Sequence, residues 1–357
     1  MDTSAPQNRS GQQQRPLLSG AASPPSAMRV VAIGGGTGLS TLLRGLRQHV
    51  TTAGPSARAG LISDLAAVVT VTDDGGSSGR LRKGFNMLPP GDLRNCMVAL
   101  SEEEDLLAQL FAHRFVGGDA LKGHNFGNLF VAALTEITGD FAHAIQLASK
   151  ILATRGRIYP VTTANATLVA RMDDGTVVRG ETNITASRRR IVELMLDPPD
   201  AAPLRETLDA IERADLITVG PGSLYTSLIT NLLVEGIPEA LKNARGIRVY
   251  VCNLMTQANE SVGLTASQHI ERIYEHTGAP IFDCALVNTT PFPAETLARY
   301  AAQGASPIEP DIARIEELGV RCIAGDFASE GSLVRHAPGR VTGALLALGQ
   351  TRPVPRR

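Results

Sequence analysis

RVVAIGGGTGLS, running from Arg29 to Ser40, starts apolar, breaks into Gly34, Gly35 and Gly36, and continues through Thr37 and Gly38 into a helical pattern. That order predicts a strand, a tight turn and a helix start. Glycines let backbone amides close on an anion with no Cβ in the way, and the first turn of a helix adds unpaired N–H groups and a partial positive charge. The turn therefore predicts a phosphate site. Neither familiar phosphate template fits it, because Leu39 stands where GxGxxG needs its third glycine and no P-loop lysine follows. Asp73 stands where a ribose-binding acid ends a second strand, so a dinucleotide of the NAD(P) type stays open on the residues.

Further apolar, β-branched runs lie at 66–72, 215–219, 247–252 and 281–287, with helical patterns at 38–48, 104–114, 125–153, 222–233 and 265–277. Strands apolar on both faces, alternating with helices, predict an α/β fold: a doubly wound, mostly parallel, Rossmann-like three-layer sheet. ATLVARMDDGTVVRGETNI (166–184) breaks the rhythm with two β-rich runs around Asp173, Asp174 and Gly175, a hairpin signal. It predicts an inserted antiparallel ribbon, either a homodimer contact or a lid. LDPPDAAP (196–203) reads as a Pro-rich link back to the main sheet. Helices at 293–302, 309–318 and 340–349 and a strand near 320–324 complete one domain over 28–350.

Residues 1–27, rich in Ser, Pro, Gln and Gly, predict a disordered tail and leave Met28 as a candidate alternative start; 351–357 predict a second flexible tail. A net charge of −1 gives no global field for nucleic acid, and 4% aromatics with no Trp leave few platforms for stacked bases. Cys96, Cys252, Cys284 and Cys322 are far apart, without zinc spacing, and suit reduced core positions. With no signal peptide and no membrane-long apolar run, a cytoplasmic location is expected.

The polar motifs fall where strands end, the edge at which parallel sheets bind ligands. In DDGGSSGR, Asp73 and Asp74 either hold Mg²⁺ beside phosphates or close an Asx turn. Gly75, Gly76, Ser77, Ser78 and Gly79 then form a flexible, donor-rich loop with Arg80 and Arg82 close by. In PPGDLRN, Asp92 starts a helix and caps it, while Arg94 is either a surface residue or a phosphate fork and Asn95 a base or sugar contact. In GHNFGN, His124, Asn125 and Asn128 open a long helix. His124 has no nucleophile partner in the sequence, so no catalytic residue is assigned. In GPGSLYTSL, Gly220 and Gly222 flank Pro221, and Ser223 takes a helix N-cap; two helix starts aimed at one crevice can share a diphosphate. Tyr225 is either core or a ring platform. Asn253, Gln257 and Asn259 offer amides to sugar hydroxyls or a base edge.

Together GGGTGLSTLLRGL, TVTDDGGSSGRLR, PPGDLRN, GHNFGNL and GPGSLYTSL resemble, in order, the bacterial gluconeogenesis factor family, a branch of the 2-phospho-L-lactate transferase-like superfamily. The resemblance spans about Arg29 to Leu348. It implies a cytoplasmic protein that binds a uridine diphosphate sugar, UDP-N-acetylglucosamine or UDP-glucose, and supports cell shape and wall synthesis on gluconeogenic carbon through wall-synthesis regulators. It also places Tyr300 and Arg335 at the nucleotide-sugar site, Tyr300 stacking and Arg335 contacting phosphate. The related transferase branch, a phospholactyl transferase using a nucleotide diphosphate donor and Mg²⁺, is the alternative. Its first turn reads GGTGTPKLL, its PDLDT segment becomes PPGDLRN here and its GPSNP turn GPGSLYTS, which weakens transfer activity.

Overall fold

The computed structural model describes Met1 and residues 27–52, 59–102, 106–187, 189–258, 260–329, 331 and 333–351. Most of both predicted tails, and Asn259, lie outside the described residues. Seven strands form one parallel sheet: β1 (Met28–Gly34), β2 (Ile62–Val69), β3 (Arg157–Pro160), β7 (Leu216–Val219), β8 (Ile247–Val251), β9 (Cys284–Asn288) and β10 (Arg321–Gly325), in the order β10-β9-β8-β7-β1-β2-β3. The chain winds outward from β1 through β2 to β3, then returns to the other side of β1 and winds out again. That reversal makes the gap between β1 and β7 the topological switch point of a doubly wound sheet.

The predicted fold class is the one observed. β1 is buried on both faces and pairs with β2 and β7, Val30 to Ile33 opposite Leu216 to Val219. It ends at the glycines. Helix α1 (Gly36–Leu46) buries Leu39, Leu42, Leu43 and Leu46 on one stripe, the 3-4 spacing of a core-facing helix. At roughly 2 kcal/mol for each buried Leu, that stripe anchors the turn to the sheet.

The inserted ribbon is larger than the hairpin expected over 166–184. β4 (Thr167–Met172) and β5 (Val177–Arg179) pair across the Asp173–Gly175 turn, but β6 (Ile191–Asp197) adds a third antiparallel strand, giving the order β5-β4-β6. The segment assigned to a link thus begins in a strand. The helix expected over 125–153 is two, α5 (Phe126–Thr138) and α6 (Phe141–Ile151): Gly139 turns left-handed at φ +69° and Asp140 caps the next helix by accepting from the His143 amide. The glycine-rich loop expected at 75–79 is the start of helix α2 (Gly76–Phe85). Gly79 is there for contact, since a Cβ would stand 1.8 Å from the Asp74 carbonyl oxygen. Helices α3 (Gly91–Leu100), α4 (Leu106–Ala112) and the short α7 (Glu181–Ala186) complete the elements around the site. The four cysteines are free, and all but Cys322 are buried. Among the described residues no helix is long and apolar enough to cross a membrane.

The two halves of the sheet touch at Gly38, where a Cβ would lie 2.4 Å from the Pro221 carbonyl oxygen. Gly36 has φ +62° but open space around it. Gly38→Ala should therefore destabilise by about 2–4 kcal/mol, because two backbone turns must separate. Gly36→Ala should lose only about 1 kcal/mol to backbone strain. Urea unfolding of the pair checks this order, and an equal loss would contradict it.

Candidate functional site

At the switch point a cavity of about 270 Å³ opens above the ends of β1, β7 and β8. It is lined by Gly35, Gly36, Thr37 and Gly38 of the first turn, Gly222 and Ser223 of the second, Asn253 after β8, and Tyr300 and Arg335. A larger cavity of about 680 Å³ sits at the opposite, amino-terminal edge between Arg29, Asp215 and Gly349. It holds neither glycine turn, and parallel sheets carry their sites at the other edge.

The second turn is clamped from β8. Asn253 accepts from the Gly222 amide at 3.1 Å and donates to the Gly222 carbonyl at 2.6 Å. Ser223 holds the predicted N-cap position, yet its hydroxyl does not cap; it accepts instead from the Gln257 side chain at 2.8 Å. The other amide atom of Gln257, Oε1, is buried without a hydrogen-bond partner among the described residues. The helix that follows opens with a π turn, Leu224–Ile229. Its first amides are met from below by Glu260, which accepts from the Tyr225 amide at 3.3 Å and the Thr226 hydroxyl at 3.0 Å. Burial raises the Glu260 carboxyl above its usual range.

Tyr300 and Arg335 converge although 35 positions separate their numbers. The Tyr300 hydroxyl accepts from the Val334 amide at 2.9 Å, which ties the ring to the segment carrying Arg335. Arg299 lies over the same ring, 5.8 Å from its centre. His336, beside Arg335, donates to the Cys252 carbonyl at 3.0 Å, and burial pulls its pKa down to about 4, so it is neutral near pH 7. Nothing in the sequence marked His336 except its neighbour.

The remaining expected site residues lie elsewhere. Gly34 ends β1 beneath the turn, and Gly220, at φ +90°, passes under Val251. Tyr225 is core, 2% exposed, with its hydroxyl near the Ile191 carbonyl and its ring edge-on to His276. Asp73, Asp74, Gly76, Ser77, Ser78, Arg80, Asp92, Arg94, Asn95, His124, Asn125 and Asn128 gather on the β2 side of the first turn.

Asp92 joins the two groups. The residue expected to cap its own helix does not: Pro90 takes that position, and Asp92 Oδ2 instead accepts from the Gly36 amide at 2.7 Å. A carboxylate from α3 thus occupies the first donor of α1, while the Thr37 and Gly38 amides stay in the unpaired first turn. Asn95 supports the same carboxyl. Asp73 closes its own turn, as expected, whereas Asp74 does not and serves the start of α7 instead. Asp73 accepts from the Gly75 amide at 2.9 Å, and Asp74 accepts from the amide and hydroxyl of Thr182 at 2.8 and 2.6 Å. The two carboxylates face different partners, and among the described residues no group of three or more His, Cys, Asp or Glu side chains is placed to hold a metal ion. Glu181, unmarked by the sequence, is half-buried near Asp73 and Asp92; desolvation and those charges hold its carboxyl well above the usual range.

Compared with known proteins, residues 30–328 match the family described as 2-phospho-L-lactate transferase CofD. The chain belongs to this family. A gluconeogenesis factor of Halalkalibacterium halodurans is 47% identical over 318 residues, covering 89% of this chain and 95% of that protein. One from Bacillus subtilis is 43% identical over 321 residues, covering 90% and 98%. A crystal structure of a Bacillus halodurans protein superposes with a TM-score of 0.85 at 46% identity, covering 90% of this chain and 100% of the other.

Burial lifts the Asp92 carboxyl from 3.8 to about 6, against the opposing pull of the Gly36 amide. Between those values the folded chain keeps a proton that the unfolded chain releases, so stability is highest on the acid side and falls as pH rises through 6. Asp92→Asn keeps an acceptor for Gly36 and removes the ionisation. The variant should lose less stability than the parent between pH 4.5 and 7.5, by about 2 kcal/mol. Denaturant midpoints at the two pH values measure it, and parallel losses would refute the assignment.

Proposed function

We propose that the switch-point cavity binds a nucleotide diphosphate carrying a sugar, of the UDP-N-acetylglucosamine or UDP-glucose class, and that the protein is a cytoplasmic binding factor rather than a catalyst. Support comes from one observation: two helix starts, the Asn253 clamp, Tyr300 and Arg335 line the same cavity. Helix starts favour a pyrophosphate. A tethered tyrosine favours a flat ring, and the buried Gln257 acceptor favours a ligand that brings an N–H or O–H donor. Arg335 is exposed and forms no ion pair among the described residues, a fork suited to phosphate oxygens. The names of the relatives support a role in growth on gluconeogenic carbon, and we extend it to cell shape and wall synthesis. Ligand occupancy would be read by the regulators of those processes.

Isothermal titration of the full chain with UDP-N-acetylglucosamine, UDP-glucose, NAD and GDP should give the tightest binding with a uridine compound. Heat from neither uridine compound would overturn the specificity. Arg335→Ala should weaken binding by roughly tenfold to a hundredfold with little change in melting temperature. Parental affinity in that variant would remove Arg335 from the site.

A further inference from the structure

Across the first turn from the cavity, two arginines close on the loop before α5 and a third reaches the first turn of that helix. Arg80 of α2 donates to the Lys122 carbonyl at 3.0 Å, and Arg114, just after α4, donates to the Gly123 carbonyl at 2.7 Å. Arg94 of α3 reaches Asn128 Oδ1 from its Nε at 3.3 Å. It lies across the start of α5, where a Cβ at Gly127 would stand 2.8 Å from the Arg94 Cγ.

None of the three forms an ion pair among the described residues. Glu102, in the adjacent α3–α4 connection, pairs with Arg155. Asp92 attracts Arg94, but its carboxylate is held by Gly36. The fields of the arginines add: besides burial, Arg114 lowers the pKa of Arg94 against the pull of Asp92, and Arg80 and Arg114 lower that of His124.

His124 adds a neutral donor. Ser77 Oγ accepts from the Asn125 amide at 3.2 Å and from Asn128 Nδ2 at 3.3 Å. Its own proton is then left for His124 Nδ1, 3.2 Å away. That places the imidazole hydrogen on Nε2, free to donate.

We propose that Arg80, Arg94, Arg114 and His124 form a second oxyanion centre, separate from the switch-point cavity, that takes the phosphate group of a small phosphorylated metabolite. Arginine forks match tetrahedral oxyanions; among the described residues none of the three is ion-paired, and their carbonyl and amide contacts do not need a charge. The centre stands whatever ligand fills the cavity. It gives the protein a second input, a phosphorylated small molecule sensed beside the nucleotide.

The test titrates the full chain with inorganic phosphate, against sodium chloride at equal ionic strength, followed by thermal shift and by ³¹P line width. Saturable binding is expected. Arg80→Gln with Arg114→Gln, both exposed positions, should lower phosphate affinity at least tenfold, while Arg335→Ala should leave it unchanged. No saturable response in the parent chain, or parental affinity in the double variant, overturns the proposal. So does loss of the response in Arg335→Ala, which would put the phosphate in the cavity. If the double variant melts earlier in chloride, His124→Gln decides instead: weaker phosphate binding supports the centre, and unchanged binding overturns it.

Discussion

Two missing methyl groups hold the carboxyl edge of this sheet together. A Cβ at Gly35 would stand 2.7 Å from both Asp92 Oδ2 and Thr70 Cγ2, and one at Gly38 would stand 2.4 Å from the Pro221 carbonyl. The first turn is therefore pinched between the β2 half and the β7 half of the fold. Those contacts hold the first turn against β2, α3 and the second glycine turn. They bring the second glycine turn beside the first, let α3 reach across to cap α1, and leave the cavity on one side with the arginine cluster on the other.

The charge around the turn follows from the same crowding. Asp92 and Glu181 are half-buried and Glu260 is buried, all near helix starts, and each is held above the ordinary carboxylate range. Asp92 and Glu260 act as internal anions, satisfying Gly36 on one side and Tyr225 with Thr226 on the other. They preorganise the two turns while leaving the Thr37 and Gly38 amides to the first turn of α1. For the proposed ligand, turns fixed in this way would lower the cost of ordering on binding.

The architecture was largely legible because its central strands are mostly apolar runs that stop at polar or glycine turns. β1 and the strands at 215–219, 247–252 and 281–287 needed nothing beyond periodicity. β3 was not legible: Arg157–Pro160 is only four residues long, with arginine at one end and proline at the other. β6 alternates irregularly because it lies half-exposed on the ribbon, and its prolines at 198 and 199 resemble a link. The site was readable wherever a motif lined its own turn. It failed where the partner was remote. Asp92 sits at a helix start, so local reading gives it its own helix, whereas its hydrogen bond spans 56 residues. Asp74 likewise serves α7, and Glu181 carries no mark beyond following a hairpin. One expected site is in fact two clusters, a division set by which side of β1 each loop descends to, and strand order is not written in any single motif.

The central claim is that a nucleotide diphosphate lies with its pyrophosphate across the first turn of α1 and the Gly222 turn. Amide ¹H–¹⁵N spectra of the full chain, recorded during titration with UDP-N-acetylglucosamine, address it directly. Saturable shifts concentrated at Thr37, Gly38, Gly222 and Ser223 are predicted. Shifts confined to the opposite edge around Arg29 and Gly349, or none at all, would contradict it.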